Sequence, residues 1–256
     1  MSQRKEWITK RYGAIAEGGG CCCSAESTAA EIGYTTADLA AAPDGANLGL
    51  GCGNPIAIAS IRPGETVLDL GSGAGFDAFL AAGRVGPQGR VIGLDMTPQM
   101  VERARANAAA GGHANVEFRL GDIEQMPVES DSVDLVISNC VLNLVPDKAA
   151  AFREIARVLR PGGRLAVADI VLDAPLPACL QDDKEAYCAC IAGAVSREEY
   201  LAGLQAAGLA DVQVVSEADA AALLASDCCG EGAALPAGVT TSIRVAGRKP
   251  VQEERA

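Results

Sequence analysis

The stretch Glu65-Thr-Val-Leu-Asp-Leu-Gly-Ser-Gly-Ala-Gly75 decides the fold of this 256-residue chain. Its first part, residues 66–70, is short, apolar and partly β-branched, which predicts a strand buried on both faces. The strand runs into three alternate glycines, Gly71, Gly73 and Gly75, and residues 76–82 then have helical spacing and composition. Because glycine carries no Cβ, backbone N–H groups in such a strand–turn–helix unit can approach a ligand closely.

Two acids accompany this turn. Asp69 precedes the first glycine by two positions, and Asp95 ends the next strand-like run, 24 residues after Gly71. A carboxylate at that distance holds the ribose diol of a nucleotide in Rossmann-type domains, although the third glycine comes one residue too early for the dinucleotide pattern. The order acid-x-Gly-x-Gly-x-Gly instead resembles that of class I S-adenosylmethionine methyltransferases. The resemblance implies that S-adenosyl-L-methionine is bound by Asp69, Gly71, Ser72, Gly73, Gly75, Asp95 and Met96.

Strand-like and helix-like segments alternate from residue 65 to about residue 171. The predicted strands are 66–70, 90–95, 115–120, 133–138 and 164–171, and the predicted helices are 75–83, 98–110 and 147–159; two further strand-like runs, 212–215 and 240–245, come later in the chain. This pattern predicts an α/β, Rossmann-like domain with a mainly parallel twisted sheet and helices on both faces. We expect N-terminal helices and a cysteine loop in residues 1–55, the cofactor-binding domain in 56–175, and a small cysteine-bearing extension in 176–256 that caps the site and completes the sheet.

Further cofactor contacts are expected from the topology. In open parallel sheets, ligands bind beyond the carboxyl ends of the strands. Asp122 and its neighbour Ile123 follow the third predicted strand, and Asn139 follows the fourth. These residues are therefore placed to reach an adenine edge and a methionine tail, although each could equally be a turn or cap residue.

Charge and composition exclude several classes of partner. Lys and Arg number 21 against 33 Asp and Glu, for a formal net charge of −12, which opposes binding to a nucleic-acid backbone. No apolar run is long enough to span a bilayer, and the first seven residues lack the apolar core of a secretory signal. We therefore expect a cytoplasmic protein with no nucleic-acid or membrane partner, and we expect a monomer.

Ten cysteines accompany a single histidine, His113. In a reducing compartment such cysteines are more readily metal ligands, redox groups or reactive thiols than a disulfide framework. A zinc ribbon is poorly supported, because no Cys-x-x-Cys occurs. Topology places Cys140 at the carboxyl end of the fourth strand, Cys190 in the extension and Cys52 in a glycine-rich loop before the first strand. Cys179 is expected to be a small buried hydrophobic residue.

Several thiols near a methyl donor favour a soft, thiophilic methyl acceptor. Trivalent arsenic meets this requirement, because thiolates bind it in a pyramidal site and its lone pair attacks a sulfonium methyl group without a general base. Catalysis would then rest on positioning and desolvation. One alternative is a methyltransferase for a quinone or other small metabolite, which would need a general base or an apolar acceptor pocket. Another is a thiol-rich metal-binding or sensing protein on a methyltransferase scaffold, for which Asp69 and Asp95 would be dispensable.

Six segments together resemble the arsenite S-adenosylmethionine methyltransferases, over about residues 10–248: Asn47–Pro55, Val67–Gly75, Asp95–Thr97, Ser138–Leu144, Pro146–Lys148 and Cys190–Ala194. The resemblance implies three catalytic cysteines, of which Cys140 and Cys190 hold the arsenic and Cys52 is a further ligand. It also implies a redox pair between Cys52 and one of Cys21, Cys22 and Cys23. The three adjacent cysteines leave the choice among them open, and we assign no role to Cys188, Cys228 or Cys229.

The same resemblance implies the reaction and its partners. The substrate would be arsenite or its thiol conjugates, and the products would be methylated arsenicals formed for arsenic detoxification. Glutathione or thioredoxin would serve as the thiol reductant that returns the product to the trivalent state.

Overall fold

The computed structural model describes residues 2–18, 25–220 and 238–251. The candidate redox partners Cys21, Cys22 and Cys23, and also Cys228 and Cys229, lie outside the described residues. The helices in the described part are α1 (Gln3–Ala16), α2 (Ala25–Glu31), α3 (Thr36–Ala41), α4 (Phe76–Val85), α5 (Pro98–Gly111), α6 (Lys148–Val158), α7 (Ala178–Gln181), α8 (Lys184–Cys188) and α9 (Arg197–Ala206). The strands are β1 (Thr66–Leu70), β2 (Arg90–Asp95), β3 (Val116–Leu120), β4 (Val133–Asn139), β5 (Leu159–Leu172), β6 (Ala210–Asp219) and β7 (Thr240–Arg248).

These strands form one sheet in the order β3-β2-β1-β4-β5-β7-β6. The strands from β3 to β5 are parallel to their neighbours, whereas β7 runs antiparallel between β5 and β6. The predicted α/β architecture with a mainly parallel sheet is confirmed. The strand order reverses between β1 and β4, and such a reversal opens a crevice at the carboxyl ends of the two strands.

Both faces of the central strands are buried. Val67 of β1 packs in one apolar cluster with Phe79 of α4, whereas the next residue, Leu68, packs in another cluster with Phe152 of α6. Consecutive strand side chains point to opposite faces, so a continuous apolar run is needed where helices cover both sides of a sheet. Each such side chain contributes about 1.5–3 kcal/mol when fully buried.

The predicted secondary structure differs from the structure mainly at the β6 edge of the sheet and in the N-terminal region. β6 spans ten residues, whereas the apolar pattern indicated only 212–215, because this edge strand alternates half-buried and exposed positions. Its length is set by pairing with β7. α2 was not predicted, since Ala29 is its one buried residue and the helix has no apolar periodicity. β6 and β7 extend the sheet from the C-terminal part of the chain, and the division into three regions stays a prediction.

Among the described residues, no helix combines the length and apolarity needed to cross a membrane.

Candidate active site

A pocket with about 1170 Å³ of empty space, partly open to solvent, lies at the strand-order reversal. We call it the glycine-turn pocket. Nine of the ten predicted cofactor residues line it: Asp69, Gly71, Ser72, Gly73, Asp95, Met96, Asp122, Ile123 and Asn139. Gly75 is not among the lining residues. A Cβ on Gly75 would lie 2.6 Å from the ring of Phe79 and 2.7 Å from that of Phe118, so packing explains this glycine.

The turn itself needs glycine for its backbone conformation. Gly71 has φ 65° and Gly73 has φ 51°, both in the left-handed region that L side chains rarely adopt. A Cβ on Gly71 would also lie 2.4 Å from Cγ2 of Val141. The turn therefore exposes its backbone to the pocket only because these positions carry no side chain.

Asp95 ties the glycine turn to the end of β2. Its Oδ2 accepts a hydrogen bond from the Gly73 N–H (2.9 Å), and its Oδ1 accepts one from the Thr97 N–H (2.8 Å). Burial raises the pKa of Asp95, and these N–H groups act in the opposite direction. The carboxylate therefore holds the turn and also faces the pocket.

Two further buried acids face the same space. Burial, followed by the charges of Asp77 and Asp95, raises the pKa of Asp69 well above its ordinary value. Burial also raises the pKa of Asp77 to about 6, against hydrogen bonds from Tyr34 and Asn139 that lower it. Oδ2 of Asp69 has no hydrogen-bond partner among the described residues. Carboxylates that are costly to ionise in one another's presence favour a ligand that brings positive charge.

The N-terminal helix α1 covers the pocket through Lys5, Ile8 and Tyr12. Nζ of Lys5 donates to Oδ2 of Asp122 (2.5 Å) and pairs with Glu124. The sequence places Ile8 and Tyr12 on one apolar face of a helix, and only the fold shows that this face lies over the glycine turn.

The three predicted catalytic cysteines lie together beside this pocket, and we call them the sulfur cluster. Cys52 and Cys140 form a disulfide with a Cα–Cα distance of 5.7 Å. The Cys190 thiol donates to the carbonyl oxygen of Cys140, with a distance of 2.8 Å. All three side chains are buried, and Cys140 also lines the glycine-turn pocket.

The observed disulfide differs from the pairing that the resemblance implied, which joined Cys52 to one of Cys21, Cys22 and Cys23. The implied pairing stays a prediction, because Cys21, Cys22 and Cys23 lie outside the described residues, and the structure pairs Cys52 with Cys140. The reason is the position of the loop: the Cys52 N–H donates to Oδ1 of Asn139 (3.1 Å), and Oγ of Ser242 donates to the Cys52 carbonyl (2.7 Å). These bonds hold Cys52 against the end of β4, where Cys140 is the adjacent thiol.

Cys140 and Cys190 both have left-handed backbone conformations, with φ of 60° and 64°. Such a conformation is costly for a residue with a Cβ and persists only where the surrounding structure imposes it. The Cys140 N–H donates to the Ala168 carbonyl (2.8 Å), and the Cys190 N–H donates to that of Tyr187 (3.1 Å). Backbone strain of this kind concentrates at functional sites.

A buried acid, Asp169 of β5, completes the surroundings of the disulfide. One of its carboxylate oxygens and the sulfur atoms of Cys52 and Cys140 all lie within 4.8 Å of one another. Oδ2 accepts a hydrogen bond from the Tyr200 hydroxyl (2.8 Å), and Oδ1 has no partner among the residues that the structure describes. Burial raises the pKa of Asp169 to about 7, and the charge of Lys148 opposes the shift.

Replacement of Asp169 by asparagine should make the protein more stable at alkaline pH. The native carboxyl keeps its proton up to about pH 7, whereas the unfolded one ionises above its ordinary pKa of 3.8. Rising pH therefore favours unfolding across this window, by about 4 kcal/mol once both values are passed. Urea unfolding of both proteins between about pH 5 and about pH 8 measures the difference. Parallel pH profiles for the variant and the wild type would contradict the assigned shift.

A sequence profile described as "Methyltransferase domain" matches residues 61–208, more than half of the chain. The chain belongs to this methyltransferase family. Its sheet and glycine turn have the predicted class I methyltransferase architecture. A solved structure with the same arrangement is the arsenic(III) S-adenosylmethionine methyltransferase of Chlamydomonas reinhardtii, with a TM-score of 0.65 and 31% identity over 89% of this chain and 74% of that one.

Two curated relatives of this methyltransferase chain are named arsenite methyltransferase. An arsenite methyltransferase of Halobacterium salinarum is 49% identical over 83% of this chain. An arsenite methyltransferase of Aquipseudomonas alcaligenes is 33% identical over 83% of this chain. The chain spans 59% and 64% of the lengths of these two relatives.

Sequence reasoning missed four side chains near the sites: Lys5, Tyr34, Asp77 and Asp169. Asp169 left a signal, because it is an acid inside the apolar run 165–171, and such a residue needs a partner or a function. Cys179 was predicted to be buried and is exposed. It lies on the four-residue helix α7, none of whose residues is buried.

Proposed function

We propose that this chain transfers a methyl group from S-adenosyl-L-methionine to thiol-bound trivalent arsenic. The observation that carries the proposal is the sulfur cluster at the wall of the glycine-turn pocket, with Cys140 belonging to both. Soft sulfur ligands select a thiophilic acceptor. The names of the relatives support the same acceptor.

The pocket suits the proposed methyl donor, which supplies an electrophilic methyl group on a sulfonium sulfur and carries a positively charged amine. Asp69 offers an unpaired buried oxygen, and each oxygen of Asp95 keeps a second lone pair for a ribose hydroxyl. The glycine turn leaves room for the ligand beside its backbone. We retain Asp122, Ile123 and Met96 as proposed contacts of the adenosine, since all three line the pocket.

Arsenic binding requires reduced sulfur. In the proposal, two molecules of a thiol such as glutathione reduce the Cys52–Cys140 bond: each cysteine sulfur gains a hydrogen, and the two reductant sulfurs form their own disulfide. Each arsenic hydroxyl then leaves as water with one cysteine proton as an arsenic–sulfur bond forms. We propose that the left-handed backbone of Cys140 and Cys190 orients these two thiols toward the same arsenic atom.

The same disulfide is the expected product of the reductive step. Methylation formally raises arsenic to the pentavalent state. If the Cys52 and Cys140 sulfurs then couple, both of their bonds to arsenic break: one electron pair forms the sulfur–sulfur bond, and the other stays on arsenic and returns it to the trivalent state. Water, losing a proton, fills the vacated position on arsenic. The position of Cys52 beside Cys140 supports this step. A redox role for Cys21, Cys22 or Cys23 stays a prediction.

The cellular setting belongs to the same proposal. We expect glutathione or thioredoxin to regenerate the dithiol, and a cytoplasmic monomer to act in arsenic detoxification. Purified protein incubated with labelled S-adenosylmethionine, arsenite and thiol, followed by speciation of the arsenic, tests the activity. Formation of labelled methylarsenicals supports it. Arsenite binding without methyl transfer would instead favour the thiol-rich binding protein, and transfer only to a quinone or metabolite would favour the other alternative.

Replacement of Cys52 by serine should impair methylation of arsenite more than methylation of a trivalent monomethylated arsenical. Arsenite can bind three thiolate ligands. The trivalent monomethylated species can bind only two, and Cys140 and Cys190 supply both. Initial rates with each substrate under excess thiol measure the difference. Equal losses on the two substrates would remove the special role of Cys52 in the first transfer.

A further inference from the structure

Asn139 lies between the glycine-turn pocket and the sulfur cluster, and its amide contacts the cysteine loop, residues 51–53. Its Oδ1 accepts a hydrogen bond from the Cys52 N–H (3.1 Å), and its Nδ2 donates to the Gly53 carbonyl (2.8 Å). Nδ2 also contacts the Tyr34 hydroxyl (3.1 Å) and Oδ2 of Asp77 (3.2 Å). Both ends of the amide are therefore engaged by protein groups, although topology alone predicted that Asn139 would bind the cofactor.

The loop is shaped to receive this amide. A Cβ on Gly51 would lie 2.6 Å from Nδ2 of Asn139, and a Cβ on Gly53 would lie 2.6 Å from Cβ of Ala168. Gly51 is not among the glycines with a left-handed backbone, so space and not conformation requires its glycine. The two glycines let the loop lie close to the ends of β4 and β5.

Asn139 is therefore linked to both cysteines of the disulfide. Cys140 follows it directly in the chain, and Cys52 is held by its side chain. We propose that Asn139 is a positioning residue that clamps the cysteine loop and so sets the distance between the Cys52 and Cys140 sulfurs. This inference rests on the proposed function only for the role of the two sulfurs as arsenic ligands.

The consequence is measurable in the thiol chemistry of the pair. Two glutathione molecules reduce the protein disulfide to two thiols and become oxidised glutathione, so the equilibrium constant reports how well the protein holds its two sulfurs together. A released loop lowers the local concentration of one cysteine at the other. The clamp therefore favours the closed disulfide.

The test equilibrates the full chain in mixtures of reduced and oxidised glutathione, and peptide mapping then measures the fraction with Cys52 linked to Cys140. Asn139→Ala should lower the equilibrium constant for closure about tenfold, because two hydrogen bonds to the loop are lost. Gly51→Ala should do the same while the asparagine is retained, because its methyl group displaces the amide. The double variant should show no further loss, since truncation of Asn139 leaves room for that methyl group.

Asn115→Ala is the matched control. Its amide also donates to backbone carbonyls, those of Ala82 (3.1 Å) and Gly86 (3.0 Å), but it precedes β3 at the opposite end of the sheet. The control should leave closure within about twofold of wild type. The assignment is overturned if Asn139→Ala and Gly51→Ala leave closure unchanged, or if Asn115→Ala lowers it equally. A wild-type protein that does not methylate arsenic would overturn the proposed function and would leave this thiol measurement standing.

Discussion

Replacement of Cys140 by serine should lower the rate of arsenite methylation by roughly 100-fold or more, because a hydroxyl is a hard, weakly acidic ligand for a soft metalloid. Cys140 is the residue that the disulfide, the contact from Cys190 and the glycine-turn pocket have in common. Under the proposed function, its loss removes a sulfur ligand of arsenic at the wall of the pocket that would hold the methyl donor. Cys190→Ser should have a comparable effect.

The measurement pairs arsenic speciation with calorimetry of S-adenosylmethionine binding. Binding of the cofactor should persist in both variants, since the glycine turn and the three acids are intact. Cys179→Ser is the control, because Cys179 is exposed and lies on α7, outside the sulfur cluster. Full turnover in Cys140→Ser or Cys190→Ser would count against these residues as the arsenic ligands.

The second large effect is expected for Asp95→Ala, which should weaken S-adenosylmethionine binding by roughly 100-fold. The substitution removes the acceptor of two backbone N–H groups, those of Gly73 and Thr97, and each hydrogen bond to a charged group contributes about 1.5–3 kcal/mol. It also removes the proposed partner of the ribose. Both losses weaken cofactor binding itself, so the effect is measurable without arsenic.

Calorimetric titration of the purified protein measures this change, and Glu102→Ala provides a control. Glu102 is an exposed acid on α5 that follows the pocket residue Met100 by two positions and does not itself line the pocket, so its removal changes the net charge equally without touching the turn. An affinity for S-adenosylmethionine that stays the same in Asp95→Ala would displace Asp95 from the cofactor site.

Local pattern was sufficient for the elements that surround the glycine turn. β1 and β2 have the predicted bounds, because buried strands flanked by glycine or charge leave little freedom in where they begin and end. Local pattern was insufficient for α2 and for the full length of β6. α2 has no apolar stripe of its own, and the apolar run of β6 covers only 212–215, so the conformation of the rest depends on neighbours that are distant in the chain.

Sequence alone determined which residues could do chemistry: a turn open to a nucleotide, acids beside it, and thiols at the same sheet edge. Those inferences follow from side-chain size, charge and softness, which are properties of single residues and short spacings. Tertiary structure alone decided that Cys52 is bonded to Cys140, that Asn139 holds the loop and that Asp169 lies beside the sulfurs. Each is a contact between segments 29 to 117 positions apart, and no local energy favours such a contact until the sheet has formed.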